Sequence, residues 1–472
     1  MSTQLIKNVQ RVSKLFQPIK IFPKDATITG DERAKSYRLM LDMGFIHREN
    51  PGMYSLLPLG YRVLEKLTAI IDNELANIGA QKMLLPHLTS NNLWKKSNRI
   101  LPMAPELFKL KDRHLAGYIL SPTHEEAISK LLATSEPLTK SQLPLLLYQI
   151  STKWRDEMKP RLGLFRGREF IMKDLYSFDS SFENAKSTYE LVHKAYDKIF
   201  SQLDIPHTIA NGSTGLMGGS LSHEYHYLSD MGEDVILHCT SCNEYNNASF
   251  IQESTENEEN PTCKKCGEQF IKKSGIEVAH TFLLGNHYSK MFEAKYISQT
   301  DHIPYEMGCY GIGLTRLMAA AVEMLSTEES IKWPKSITPF TVCLIPPKIH
   351  SKEAEADHHV DRIIEMLSQK NIDFIVDDRT NLTIGRRMVD DKRTGFPYIL
   401  IVGKSATLPE PTFELHDLHK AEQADMSMNQ LDDFFDSIKR NVLSPSNQDE
   451  GNQGESNLKL KSLYVNISTI GK

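Results

Sequence analysis

Residues 153–174 read "KWRDEMKPRLGLFRGREFIMKD", and the fold turns on how that stretch is read. In "YQISTKWRDE", residues Tyr148, Ile150 and Trp154 fall on one face and Lys153, Arg155 and Glu157 on the other. That alternation is the period of a strand. "REFIMKD" returns the chain, so the segment is an antiparallel hairpin with a charged face. Its connection, residues 158–167, is too long for a tight turn and carries Gly163 and Gly167, which predicts a mobile loop. Cations crowd the hairpin: Lys153, Arg155, Lys159, Arg161, Arg166, Arg168 and Lys173, with Glu157 and Glu169 among them. An arginine presents a planar fork to a phosphate, and a carboxylate accepts hydrogen bonds from an amine. Phe170 on the return strand offers a face on which a base can stack. A nucleoside triphosphate lying across the sheet is one reading; a solvated hairpin of surface ion pairs worth little is the other. The order of the residues favours the triphosphate.

Outward from the hairpin, residues 61–78 place Leu64, Leu67, Ile71, Leu75 and Ile78 at helical steps, and Gly79 stops the run. "MLLP" after it reads as a buried strand ending at Pro86. In "SPTHEEAISKLL", residues 121–132, Thr123 and Glu125 precede an apolar run. They either cap a helix or hold a small ammonium group. Residues 307–325, "MGCYGIGLTRLMAAAVEML", run from a strand through glycines into a helix. The pattern is not a dinucleotide fingerprint, because Arg316 stands where the third glycine would be. A cation in the first turn opposes the helix dipole, which points to an anion that Arg316 must meet.

Composition bounds the rest. A chain of 472 residues has material for two to four domains. Its net charge of −5 excludes a surface that is basic throughout, so a polyanion must be held by a local patch. Residues 143–150, "LPLLLYQI", are too few to span a bilayer, and no membrane association is expected. Six cysteines do not make a disulfide scaffold. Four of them, Cys239, Cys242, Cys263 and Cys266, form two CxxC pairs, the spacing of a structural zinc site; two metal-free reduced loops are the alternative. Residues 1–24 contain no Asp or Glu, and Leu5, Ile6, Val9, Val12 and Phe16 recur at helical spacing beside Lys7, Arg11 and Lys14. Residues 1–26 therefore read as a mitochondrial targeting segment, against the alternative of a basic arm lying on the body of the protein or on RNA. From residue 336, strand-like "ITPFTVCLIP", "DFIVDD" and "PYILIVG" alternate with helical segments, which predicts a small α/β domain over residues 336–441. Residues 442–472 are polar and read as disordered, although "LKLKSLYVNISTI" alternates like a strand.

Taken together, these segments resemble a prolyl-tRNA synthetase of the bacterial and organellar type, within the class II aminoacyl-tRNA synthetases. "YSLLPLGYRVLEKL" with "GAQKMLLP" resembles the first class motif, the hairpin "KWRDEMKPRLGLFRGREFIMKDLYSFD" the second, and "MGCYGIGLTR" the third. "SPTHEE" is similar to the proline-binding loop, and "MGGSLSHEYHYL" and "VDDRTNLTIGRRM" match the family outside those motifs. The resemblance implies an antiparallel catalytic sheet flanked by helices over residues 27–335, a C-terminal α/β anticodon-binding domain, and a homodimer built through the first motif. It implies ATP with Mg²⁺, L-proline and tRNA(Pro) as partners, and work in the mitochondrial matrix rather than the cytoplasm. By matching position, Arg155 meets the α-phosphate and the substrate carboxylate, Glu157 the adenine edge, Phe170 the adenine face and Arg316 the γ-phosphate. Arg166 and Arg168 add to the ATP site. Thr123 and Glu125 hold the proline nitrogen, with His280 and Cys309 lining the pocket. Asp378, Arg379 and Lys392 lie where the anticodon would be contacted. The family's large editing domain is missing, and residues 226–280, which carry the cysteines, are a short insertion in its place. A class II synthetase for another small amino acid, such as threonine, and a catalytically inactive tRNA-binding relative are the competing readings.

Overall fold

The computed structural model describes residues 9–19, 33–254 and 261–443. Its centre is a nine-stranded sheet in the order Leu221–Leu228, Thr208–Asn211, Tyr245–Asn247, Asp234–His238, Ile271–Gly285, Glu306–Gly313, Glu169–Asp179, Leu145–Trp154 and Gln81–Lys82. The ladders are antiparallel except where Tyr245–Asn247 meets Thr208–Asn211 and where Gln81–Lys82 meets Leu145–Trp154. The strand period sorts side chains between two apolar layers. Leu146 and Tyr148 join the core under helices Pro58–Asn77, Phe182–Leu203 and Leu314–Leu325. Leu145 and Leu147 face the smaller core that holds Ile128, Tyr288 and Phe292.

The hairpin forms as expected, with Lys153 opposite Phe170 and Trp154 opposite Glu169. Two of its cations do not belong to the charged face. Lys153 is fully buried with its ammonium 2.7 Å from Asp174 Oδ1. Lys173 is also buried, donating to Tyr310 O at 2.9 Å and to the Tyr196 hydroxyl. Burial pushes the Lys173 ammonium down to about 7, against the opposing pull of Asp174. The strand stops at Trp154, so Arg155 and Glu157 lie beyond its end and not on an alternating face. The connection is pinned rather than loose. Gly163–Phe165 forms a 3-10 turn that buries Leu164 and Phe165, and a Cβ on Gly163 (φ +65°) would meet the Tyr37 ring at 2.5 Å.

"MLLP" is not a buried strand. Only Gln81–Lys82 pairs, and Leu84 is 67% exposed. The cysteine-bearing excursion is narrower than expected, since Leu221–Leu228 and Ile271–Gly285 run through as sheet strands and its own strands Asp234–His238 and Tyr245–Asn247 join the same sheet.

The C-terminal domain has a five-stranded sheet in the order Phe374–Val376, Val342–Ile345, Tyr398–Ile401, Phe413–Asp417, Glu422–Met426. The first three strands are parallel and the last two antiparallel. Helices His358–Gln369, Ile384–Thr394 and Met428–Leu443 accompany it. One apolar cluster runs through the junction, from Trp333 and Ile337 to Cys343 and Ile399. Arg62 and Lys66 on the first-motif helix both reach Asp373, each at 2.6 Å.

Residues 9–19 do not form the amphipathic helix that the spacing predicts. They make an arm with a single 3-10 turn at Val12–Lys14, and Phe16 is 66% exposed. Arg11 bridges Val376 in parallel at the sheet edge, and Val376 N donates to Gln10 O at 3.0 Å. Ser13 gives its N–H and hydroxyl to Asp378 at 2.9 and 2.7 Å, and Gln17 Nε2 donates to Met43 O at 2.9 Å. The arm thus touches both domains, the arrangement the alternative reading had allowed. The rest of the targeting segment, residues 1–8 and 20–26, lies outside the described residues. So does the polar tail from residue 444, with its strand-like "LKLKSLYVNISTI". Among the described residues no helix is long and apolar enough to cross a membrane.

Candidate active site

A cavity of about 420 Å³ opens over the sheet where the hairpin, the third-motif strand and Ile271–Gly285 lie side by side. Arg155 and Arg316 both line it. Arg155 is fixed by its backbone N–H to Arg168 O at 2.9 Å, and its guanidinium carbon lies 5.2 Å from the Phe170 ring centroid. Burial, and then the charge of Arg316, lower its pKa from the ordinary arginine value. Arg155 Nε is buried without a partner among the described residues. A buried donor left unpaired costs about 1–3 kcal/mol, an expense removed when an anion enters. Arg316 sits in the first turn of Leu314–Leu325, as the sequence predicts, where Nε donates to Phe165 O at 2.8 Å. Its Nη1 donates to Glu277 O at 3.0 Å and pairs with Glu277 Oε2 at 3.3 Å. Two guanidinium groups remote in sequence therefore share one cavity and repel each other.

Phe170, Glu157 and Arg166 stand on the same wall. Glu157 Oε2 accepts from Arg166 Nε at 2.8 Å, and Arg166 and Arg161 both reach Glu233, at 3.0 and 2.5 Å. The loop cations thus tie the hairpin to the turn before Asp234–His238. Arg168 is not part of the cavity wall. Its Nε donates to Glu157 O at 3.0 Å and its N–H to Gly52 O at 2.7 Å.

Thr123, Glu125, His280 and Cys309 line the same cavity. Helix Glu125–Thr134 has no side-chain cap, so Thr123 does not serve as one. Its hydroxyl instead lies 2.8 and 2.7 Å from the two Glu125 carboxylate oxygens. The Cys309 thiol lies 3.1 Å from Glu125 Oε1. His280 stands between Glu277 (2.9 Å from Nδ1) and Ser222 (2.7 Å from Nε2) and stacks on Phe282. Burial alone would raise the Glu277 carboxyl, but the His280 hydrogen bond and charge, with Arg316, hold it well below the usual carboxylate range.

Among the wall residues not foreseen from sequence are Glu277 and Arg99, whose Nη1 lies 3.1 Å from Glu125 and 3.0 Å from Glu126. Of the residues expected at the anticodon, Arg379 pairs with Asp377 and Asp390 at 2.7 and 3.2 Å, Asp378 holds Ser13, and Lys392 lies half-buried in the last turn of Ile384–Thr394. The four cysteine sulfurs all lie within 4.8 Å of one another, with Cys239–Cys266 at 3.3 Å and Cys242–Cys263 at 3.5 Å. Tetrahedral zinc at about 2.3 Å from each thiolate sets sulfurs roughly 3.8 Å apart, so the cluster fits such an ion.

An antiparallel sheet carrying two opposed arginines, joined to a small α/β domain, is the architecture of a class II tRNA synthetase. The "tRNA synthetase class II core domain (G, H, P, S and T)" matches residues 108–325, and "Anticodon binding domain" matches residues 341–438. The chain is 43% identical over 421 residues to a "Probable proline--tRNA ligase, mitochondrial" of Rattus norvegicus, covering 87% of each. It is 39% identical to the like-named protein of Schizosaccharomyces pombe, over 78% of this chain and 85% of that one. A "Proline--tRNA ligase" of Sulfurimonas denitrificans is 38% identical, over 84% and 92%. A crystal structure of prolyl-tRNA synthetase from Cryptosporidium parvum, complexed with halofuginone and AMPPNP, has the same fold (TM-score 0.71, 16% identity, 88% of this chain and 80% of that one). The chain belongs to the proline--tRNA ligases.

Proposed function

We propose that the protein joins L-proline to tRNA(Pro) in two ATP-dependent steps. A proline carboxylate oxygen attacks the α-phosphorus of ATP, the bond to the leaving oxygen breaks, and pyrophosphate departs, leaving prolyl-adenylate. A hydroxyl of the terminal tRNA ribose then attacks the prolyl carbonyl and displaces AMP. The observation that carries this reading is the convergence of Arg155 and Arg316 on one cavity. Charge gathers on the phosphate oxygens in the transition state, and fixed cations stabilise it without reorganising. Arg155 takes the α-phosphate and the proline carboxylate, and Arg316 the γ-phosphate. Phe170 stacks on adenine while Glu157 meets its edge and Arg166 closes over it. Thr123 and Glu125 hold the imino nitrogen between walls that include His280 and Cys309. Mg²⁺ bound with ATP would add charge neutralisation, and Glu277, a carboxylate beside Arg316, would be the residue to hold it. Pyrophosphate exchange measured against each of the twenty amino acids tests the reading. Exchange with proline alone is expected. Exchange driven by threonine, or none with any amino acid while tRNA still binds, would overturn it.

Four finer assignments belong with this reading. Exposed Leu84, just past the edge strand Gln81–Lys82, and exposed Leu88 support a homodimer through the first motif, to be checked by sedimentation. The cysteine cluster takes one structural zinc per chain, and metal analysis finding none would dismiss it. The names of the mitochondrial relatives and the acid-free N-terminus support the mitochondrial matrix. Asp378, Arg379 and Lys392 mark the anticodon region, although Arg379 and Asp378 must exchange internal partners to serve there.

A further inference from the structure

Arg99 follows helix Asn91–Lys96 through Asn98, which adopts a left-handed backbone (φ 58°). Its side chain is only 6% exposed, an uncommon state for a cation. Nη1 sits between Glu125 Oε2 (3.1 Å) and Glu126 Oε1 (3.0 Å), and Nη2 lies 3.0 Å from Met217 Sδ. The guanidinium is held over the Trp94 and Tyr288 rings, 5.3 and 5.8 Å from their centroids. Trp94 is itself anchored to Thr89, and Tyr288 to Met217 O. Both carboxylates are buried, and Glu126 Oε2 has no partner among the described residues. One guanidinium is thus shared by two buried carboxylates in the part of the cavity where Thr123 and Cys309 meet Glu125 Oε1.

We propose that Arg99 is the positioning residue of the amino-acid site: it fixes the Glu125 carboxylate in the orientation that receives a secondary ammonium ion. This rests on the reading of Thr123 and Glu125 as the proline-nitrogen site. Arg99 meets the substrate only through Glu125. Without it two buried carboxylates adjoin with no cation between them, and Glu125 loses the partner that orients it. Removing the charge of Glu126 at the same time relieves that conflict.

The test compares Arg99→Met, Arg99→Lys, Arg99→Met/Glu126→Gln and Glu125→Gln in proline-dependent pyrophosphate exchange, with thermal unfolding of each. In Arg99→Met, KM for proline should rise at least about tenfold while KM for ATP stays within about twofold. Arg99→Lys should fall between it and the parent, and the double variant should recover proline affinity relative to Arg99→Met. An unchanged proline KM in Arg99→Met, a joint rise in both KM values, or a double variant no better than the single one overturns the proposal. If Arg99→Met does not fold, the lysine and double variants decide the same comparison. Glu125→Gln separates the two ideas: an unchanged proline KM there overturns the pocket assignment itself, whereas a raised one beside a normal Arg99→Met overturns only the role of Arg99.

Discussion

Arg155 and Lys153 are two residues apart and have opposite relations to stability. Lys153 is fully buried with Asp174 as its counter-ion. Replacing it with methionine takes from that buried carboxylate its direct ion-pair partner, and should cost about 3–5 kcal/mol in denaturant unfolding. Arg155 is half-buried, its strongest neighbouring charge, Arg316, repels it, and its buried Nε has no partner among the described residues. Arg155→Ala should therefore leave the unfolding temperature unchanged or raised, while proline-dependent exchange falls by roughly 10³-fold. A variant that lost stability and activity in parallel would mean that Arg155 holds the fold and not the transition state. Arg316→Ala should lose activity to a similar extent and some stability as well, because it gives up Phe165 O and Glu277.

At the scale of elements, regular periods were legible and interruptions were not. The hairpin, the helix Pro58–Asn77 and the strand-to-helix passage at Gly313 follow directly from alternation, helical spacing and glycine placement. Glu277 was hidden by a bulge. Tyr225 pairs with Ala279 and His226 with Glu277, so Val278 is extra on its strand. In a regular strand Glu277 and His280 would point to opposite faces; the bulge brings them within 2.9 Å. Arg99 lies in "SNRILPM", where no period marks a buried cation. The arm misled for the opposite reason. Its apolar residues recur at helical steps, but Val9 packs on the C-terminal core while Val12, Leu15 and Ile19 pack on the main one. Deleting residues 1–19 should uncover the edge strand Phe374–Val376 and lower the unfolding temperature by about 1–2 °C, as loss of about 1–2 kcal/mol would do in a chain of this length.

For the whole molecule, the question is what keeps the tRNA-reading domain at a fixed distance from the site of chemistry. Arg62 and Lys66 share Asp373 across the junction, and Arg62 also donates to Pro339 O at 2.9 Å. Burial lowers the Lys66 ammonium and Asp373 pulls it back, so without Asp373 two cations would adjoin at the seam. The arm fastens the same junction from another side, through Gln17 to Met43 and Ser13 to Asp378. Each half-buried contact contributes about 1 kcal/mol, and the continuous apolar cluster holds the remainder. Because none of these groups lines the catalytic cavity, Asp373→Ala combined with deletion of residues 1–19 should leave proline- and ATP-dependent exchange near the parental rate. Aminoacylation differs, since it needs the anticodon domain and the cavity to engage one rigid tRNA together. The combined variant should raise KM for tRNA several-fold, and calorimetry should resolve two unfolding transitions in it against one in the parent, both to be recorded together. A single transition with an unchanged tRNA KM would mean that the apolar seam alone sets the distance between the two domains.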